Sequence, residues 1–187
     1  MCGIAGYINL DGRDASEWIA MQMGATVAHR GPDGHGSWSA GPIAVSHQRL
    51  SIIDATSGGR QPMVAPGGRF VLVYNGELYN YRELRLELER AGVRFRSASD
   101  TEVVLHSLVE WGTAAIKRFN GMFALAFVDT LRESVLLARD RFGIKPLYVA
   151  RTQDAVLFGS EVKALLAHTR LAPKIDEQAL VEYLTFQ

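Results

Sequence analysis

A single cysteine in 187 residues rules out an internal disulfide framework and suits a reducing compartment, the cytoplasm being the expectation. No apolar run approaches the ~18 residues that a membrane-spanning helix needs, so no membrane partner is expected. The opening stretch, residues 1–12, has neither a basic flank nor a long apolar core and does not read as a signal peptide. Net charge is missing too. Twenty basic and twenty acidic side chains cancel without a basic stripe, which argues against nucleic acid as a partner. His29, His35, His47, His106 and His168 show no metal-ligand spacing, so no metal is expected. The glycine-rich stretches near 31–36 and 57–59 lack the GxxxxGK[ST] pattern of a phosphate loop. Ser160 and Lys163 make an S-x-x-K without its S-D-N and K-T-G companions, and Ser160 reads better as a helix cap. What remains is 48% hydrophobic residues in a chain long enough to bury roughly 70% of its unfolded surface, sufficient for a core without staples.

The one cysteine stands at position 2. If Met1 is removed, Cys2 carries a free α-amine beside its own thiol. A free thiol titrates at about 8.5 and an α-amine at about 7.7–8.0, so the amine can take the thiol proton near neutrality. One residue then supplies both nucleophile and base, an arrangement known among hydrolases. The plain alternative is a small buried apolar residue.

Along the chain, Gly3 to Ile8 reads as a buried strand and Ser16 to Val27 as a helix capped by Ser16. Residues 29–36 read as an ordered or mobile loop, in which Arg30 to Gly34 form either a plain turn or a ligand-responsive lid. A strand pair is expected over Gly36–Ala40 and Ile43–Ile53, then a loop over 54–62. Pro66-Gly67-Gly68 turns into a strand over Arg69–Tyr74. Two helices follow, with capping boxes at Asn80/Glu83 and Ser99/Glu102. Four strands spaced like a meander are expected over 122–129, 134–139, 147–151 and 155–158, then helices near 161–168 and 177–184. This order predicts an α+β fold of two antiparallel sheets with helices packed outside, not alternating βαβ units.

Nine segments carry a resemblance: MCGIAGYI, HRGPDG, RLSIID, GGRQPM, VYNGELYNY, SDTEVVL, NGMFALAFVD, RDRFGIKPLY and FGSEVKALL, in that order, within a match running from residue 2 to about 185. Together they resemble the type-2 glutamine amidotransferase domain of asparagine synthetase and its close relatives. The resemblance implies one domain over residues 2–187 with the N-terminal-nucleophile hydrolase fold, an αββα sandwich of two antiparallel sheets. It implies that Cys2 attacks the side-chain amide of L-glutamine to form a γ-glutamyl thioester, releasing ammonia and then glutamate. By the same resemblance, Asn75 and the backbone N–H of Gly76 form the oxyanion hole, and Arg49 clamps the substrate carboxylate. Glu77 and Asp100 hold its ammonium, and the backbone of Leu50, Ser51, Ile52 and Ile53 lines the pocket. These residue types suit the roles. A donor aimed at a developing oxyanion contributes about 3–4 kcal/mol, and a zwitterion suits a planar cation at one end and carboxylates at the other.

The Ser-Gly-Gly-x-Asp-Ser pyrophosphate loop of the synthetase half does not occur in the sequence. No cofactor is therefore expected in this domain, with ATP and magnesium belonging to a C-terminal synthetase domain of the same polypeptide, toward which the last helix leads. Asparagine formation from aspartate is the expected use of the ammonia. The alternatives are another amide-forming synthetase, a non-catalytic docking or regulatory module, and an amidase acting on other acylated molecules; a homodimer is left open.

Overall fold

Small and branched apolar side chains alternate along the longest strands, and the alternation assigns each residue to one of two faces. In β1 (Gly3–Asn9), Ile4 faces one way and Ala5 and Tyr7 the other. In β5 (Phe70–Leu78), Val71 and Val73 oppose Leu72 and Tyr74; in β6 (Gly121–Asp129), Ala124, Ala126 and Val128 oppose Phe123, Leu125 and Phe127. The result is three apolar interfaces, stacked as four layers. Ile4, Ile43, Val45 and Phe158 meet Val71, Val73, Ala124 and Val128 between the sheets. Tyr7, Ala44 and Leu157 pack under α1 (Glu17–Ala25) and α4 (Val162–Leu166). Leu72, Leu125 and Phe123 pack under α2 (Tyr81–Arg90) and α3 (Asp100–Trp111).

The computed structural model describes residues 1–54 and 56–186. Ala55, inside the expected loop over 54–62, and Gln187, at the end of the expected domain, lie outside the described residues. The remaining strands are β2 (Gly34–Ala40), β3 (Ile43–Arg49), β4 (Met63–Val64), β7 (Ser134–Arg139), β8 (Tyr148–Arg151) and β9 (Ala155–Gly159). One sheet runs β2-β3-β1-β9-β8 and the other β4-β5-β6-β7, with antiparallel pairing throughout. A last helix, α5 (Glu177–Thr185), is capped by the Asp176 carboxylate.

Several local expectations are corrected. The four late strands are no single meander: β6 and β7 join the second sheet, and the 140–147 connection carries the chain back to the first. The expected loop over 29–36 is a 3₁₀ turn at 28–30 followed by strand from Gly34. β3 ends at Arg49, four residues short of Ile53, while β5 runs past Tyr74 to Leu78. Asn80 does not cap α2; its side chain instead accepts from Asn120 N–H and donates to the Arg118 carbonyl. Ser99 caps α3 through Thr101 N–H, but Glu102 reaches back to Arg96 and Ser97 rather than closing a box on Ser99. Ser160 caps no helix. Its hydroxyl accepts from Ile4 N–H at 3.0 Å, tying the start of β1 to the end of β9.

Candidate active site

Cys2 precedes the first residue of β1, a central strand that pairs with β3 from Gly3 and with β9 from Ala5. Its carbonyl accepts from Arg30 Nε at 3.0 Å, and Arg30 is itself held by Glu161 at 3.0 Å. Burial works to raise the Glu161 carboxyl, but bonds from Arg30, Lys163 and His29 outweigh it and hold it down to about 2. The thiol donates to the Leu50 carbonyl at 3.5 Å and accepts from Leu50 N–H at 3.3 Å. Burial pushes that thiol up, against the pull of Leu50 N–H, the terminal ammonium, Arg49 and Lys145. A thiol in that state needs a base. With Met1 in place the nitrogen of Cys2 is an amide and cannot serve.

Facing Cys2 across the sheets is the end of β5. Asn75 is buried, and its Nδ2 has no hydrogen-bond partner among the described residues. A buried amide donor left unpaired is costly unless something else receives it. At Gly76 a Cβ would come within 2.5 Å of the Met122 carbonyl oxygen and 2.8 Å of Tyr74 and Phe123 side-chain atoms, so only glycine fits. Asn75-Gly76 is thus no hairpin turn. It lies inside a strand paired with Ala124 and Phe123.

The charged groups stand around the same cleft. Arg49 ends β3 and donates to the Asp54 carbonyl, and a Cβ at Gly59 would fall 2.5 Å from its guanidinium. Asp100 opens α3, where its Oδ2 accepts from Leu78 N–H at 2.9 Å and Tyr74 Oη at 3.2 Å. Burial raises the Asp100 carboxyl against the pull of those two donors. Burial, with the Asp100 charge beside it, keeps the Tyr74 phenol neutral by raising it well above its ordinary value. Glu77 shares the cleft, and Leu50 through Ile53 form one wall, Ser51 N–H being held by Asp33 at 2.7 Å. Every residue expected at the site, from Cys2 through Arg49 and Asn75 to Asp100, lines this one cleft.

Three participants escaped the sequence reading. Gln61 and Lys145 both lie in recognised motifs yet drew no role, because loop residues have no periodicity that assigns them a face. The Lys145 loop is tightly built: Asp140 accepts from Phe123, Phe142, Ile144 and Lys145 N–H groups. The third is the Arg30–Glu161 clamp. The 29–36 segment is held here by Arg30, by Asp33 and by Pro32 bridging to Arg49.

Residues 1–187 match the family described as a glutamine amidotransferase domain. The chain belongs to that family. Among curated relatives, asparagine synthetase [glutamine-hydrolyzing] 3 of Bacillus subtilis is 40% identical over 185 residues, covering 97% of this chain and 30% of that protein. Asparagine synthetase [glutamine-hydrolyzing] 1 of the same organism is 39% identical over 190 residues, with coverage of 100% and 30%. The chain therefore spans about a third of the length of these relatives. Among solved structures, glutamine phosphoribosylpyrophosphate amidotransferase from B. subtilis superposes with a TM-score of 0.74 at 21% identity, over 89% of this chain and 43% of that one. This similarity supports the two-sheet architecture of the amidotransferase domain. Among the described residues, no helix is long and apolar enough to cross a membrane, and no group of three or more potential metal ligands occurs.

Proposed function

We propose that this amidotransferase domain hydrolyses the side-chain amide of L-glutamine. The observation that carries the reading is the pairing of a partly buried thiol with a buried, unpartnered Asn75 amide across one cleft that also holds a guanidinium and two carboxylates. With Met1 removed, the Cys2 amine takes the thiol proton as sulfur attacks the amide carbon. The carbonyl electrons move onto oxygen, where Asn75 Nδ2 and Gly76 N–H receive them. The amine passes its proton to nitrogen, the C–N bond breaks, and ammonia leaves a γ-glutamyl thioester. Water then attacks, giving a proton to the amine. The C–S bond breaks, glutamate leaves and the thiol is restored.

Arg49 holds the substrate carboxylate, and Glu77 and Asp100 its ammonium, remote from the reacting bond. Asp100→Asn keeps an acceptor for Leu78 N–H and Tyr74 Oη, so the fold should hold. Losing one charged hydrogen bond to substrate should raise KM for glutamine ~10–100-fold with kcat within about twofold. Steady-state kinetics decide it, and a pure kcat loss would assign Asp100 another role.

The ammonia is proposed to serve an ATP-dependent synthetase domain of the same polypeptide, in the cytoplasm, forming asparagine from aspartate. The names of the relatives and the 30% coverage support this, as does the exposed apolar surface of Val181, Tyr183 and Leu184 on α5. The first test is intact mass before and after exposure to an electrophilic glutamine analogue. Loss of Met1 and gain of one adduct, blocked by excess glutamine, is the expected result. A processed protein that stays unlabelled would refute the pocket assignment.

A further inference from the structure

β4 pairs with β5 for only two residues, Met63 opposite Leu72 and Val64 opposite Val71. Continuing that register would place Gln61 opposite Tyr74, but the backbone pairing of β4 begins only at Met63. The Gln61 side chain takes over where the strand leaves off. Its Oε1 accepts from Tyr74 N–H at 2.6 Å, and its Nε2 donates to the Tyr74 carbonyl at 3.1 Å, the two bonds a neighbouring strand would have made. The same Nε2 lies 3.4 Å from Thr101 Oγ1, in the first turn of the helix that carries Asp100.

A second side chain meets the same carbonyl from the opposite sheet. His47 is fully buried, and burial lowers it to about 3, so its ring is neutral. Its Nε2 faces the Tyr74 carbonyl at 3.2 Å and, facing an acceptor, carries the proton. Backbone groups along a strand point to alternate edges. Tyr74 and Leu78 turn theirs toward the edge that β4 vacates, where Gln61 and Asp100 receive them. Gly76, midway between, turns its N–H toward the same edge, into the cleft.

We infer that Gln61 is a positioning residue for the oxyanion hole: its side-chain amide substitutes for a missing strand and sets the Tyr74–Gly76 backbone so that Gly76 N–H and Asn75 Nδ2 converge on one point. His47 braces the same peptide from the nucleophile's sheet. The inference rests on the reading of Asn75 and Gly76 as the oxyanion donors.

The test uses the full-length protein with Gln61→Met, which removes both bonds, and Gln61→Glu, which keeps the size and the acceptor. Three quantities are read: kcat and KM for glutamine, and the rate of Cys2 alkylation by iodoacetamide, which attacks without generating an oxyanion. Gln61→Met should lower kcat ~10-fold or more, and Gln61→Glu by less, because sub-ångström misplacement of a donor is costly. KM and alkylation should stay within about twofold. Should Gln61→Met lose its cooperative melting transition, Gln61→Glu decides alone. Unchanged kcat in the folded variants, or alkylation falling in step with kcat, would overturn the inference. Absence of glutamine hydrolysis in the parent protein would instead strike down the proposed function itself.

Discussion

Cys2→Ser should reduce glutamine hydrolysis at least ~10³-fold while leaving glutamine binding within about twofold. The site does little to ionise its own nucleophile. Burial raises the thiol, and the nearby cations only partly oppose it, so the reaction depends on proton transfer to the Cys2 amine. An alcohol is a far weaker acid than a thiol, and the same amine cannot ionise it to a useful extent. The Leu50 contacts and the Arg30 clamp act largely on backbone, so serine should sit where cysteine does. Calorimetric titration with glutamine, beside steady-state rates, separates the outcomes. Weak binding together with slow turnover would mean a disturbed pocket, and near-normal turnover would remove Cys2 from the mechanism. Protein that retains Met1 should show a comparable loss, since its Cys2 nitrogen is an amide.

Asn75→Ala should lower kcat ~10²–10³-fold, the measured scale for deleting one donor to a tetrahedral intermediate. Its effect on stability should be unusual for a buried truncation. Asn75 Nδ2 is buried with no partner among the described residues, a state that costs about 1–3 kcal/mol. Removing the amide relieves that cost and offsets the packing lost with it. The melting temperature should therefore hold or rise as activity collapses, the pattern of a site that gives up stability for function. Thermal unfolding beside kcat checks this. A parallel fall in both would mean that Asn75 holds the fold together, and unchanged kcat would move the oxyanion hole elsewhere.

The layered fold was legible because its strands alternate cleanly: Val71 and Val73 against Leu72 and Tyr74 announce a strand buried on both faces. Motif order likewise brought Cys2, Arg49, Asn75 and Asp100 to one cleft. The errors cluster where a side chain does the work of a backbone. The strand expected to stop at Tyr74 runs on to Leu78 because Asn75 and Gly76 pair with Ala124 and Phe123, about fifty residues on. Ser160 has a cap's composition but is claimed by Ile4 from the far end of the chain. Gln61 stands beside a proline in a loop, where propensity is silent, and its partner is chosen by tertiary register. The division of the late strands between two sheets was illegible for the same reason: spacing counts strands but does not assign partners.

The hydrogen bond between Ile4 and Ser160 spans 156 residues. β1 therefore stays incompletely paired on a growing chain until β9 has been made. At synthesis rates of about 5–20 residues per second, that interval is roughly eight to thirty seconds. The Arg30–Glu161 clamp on the Cys2 carbonyl waits equally long, so the cleft is complete only once the chain has passed Glu161.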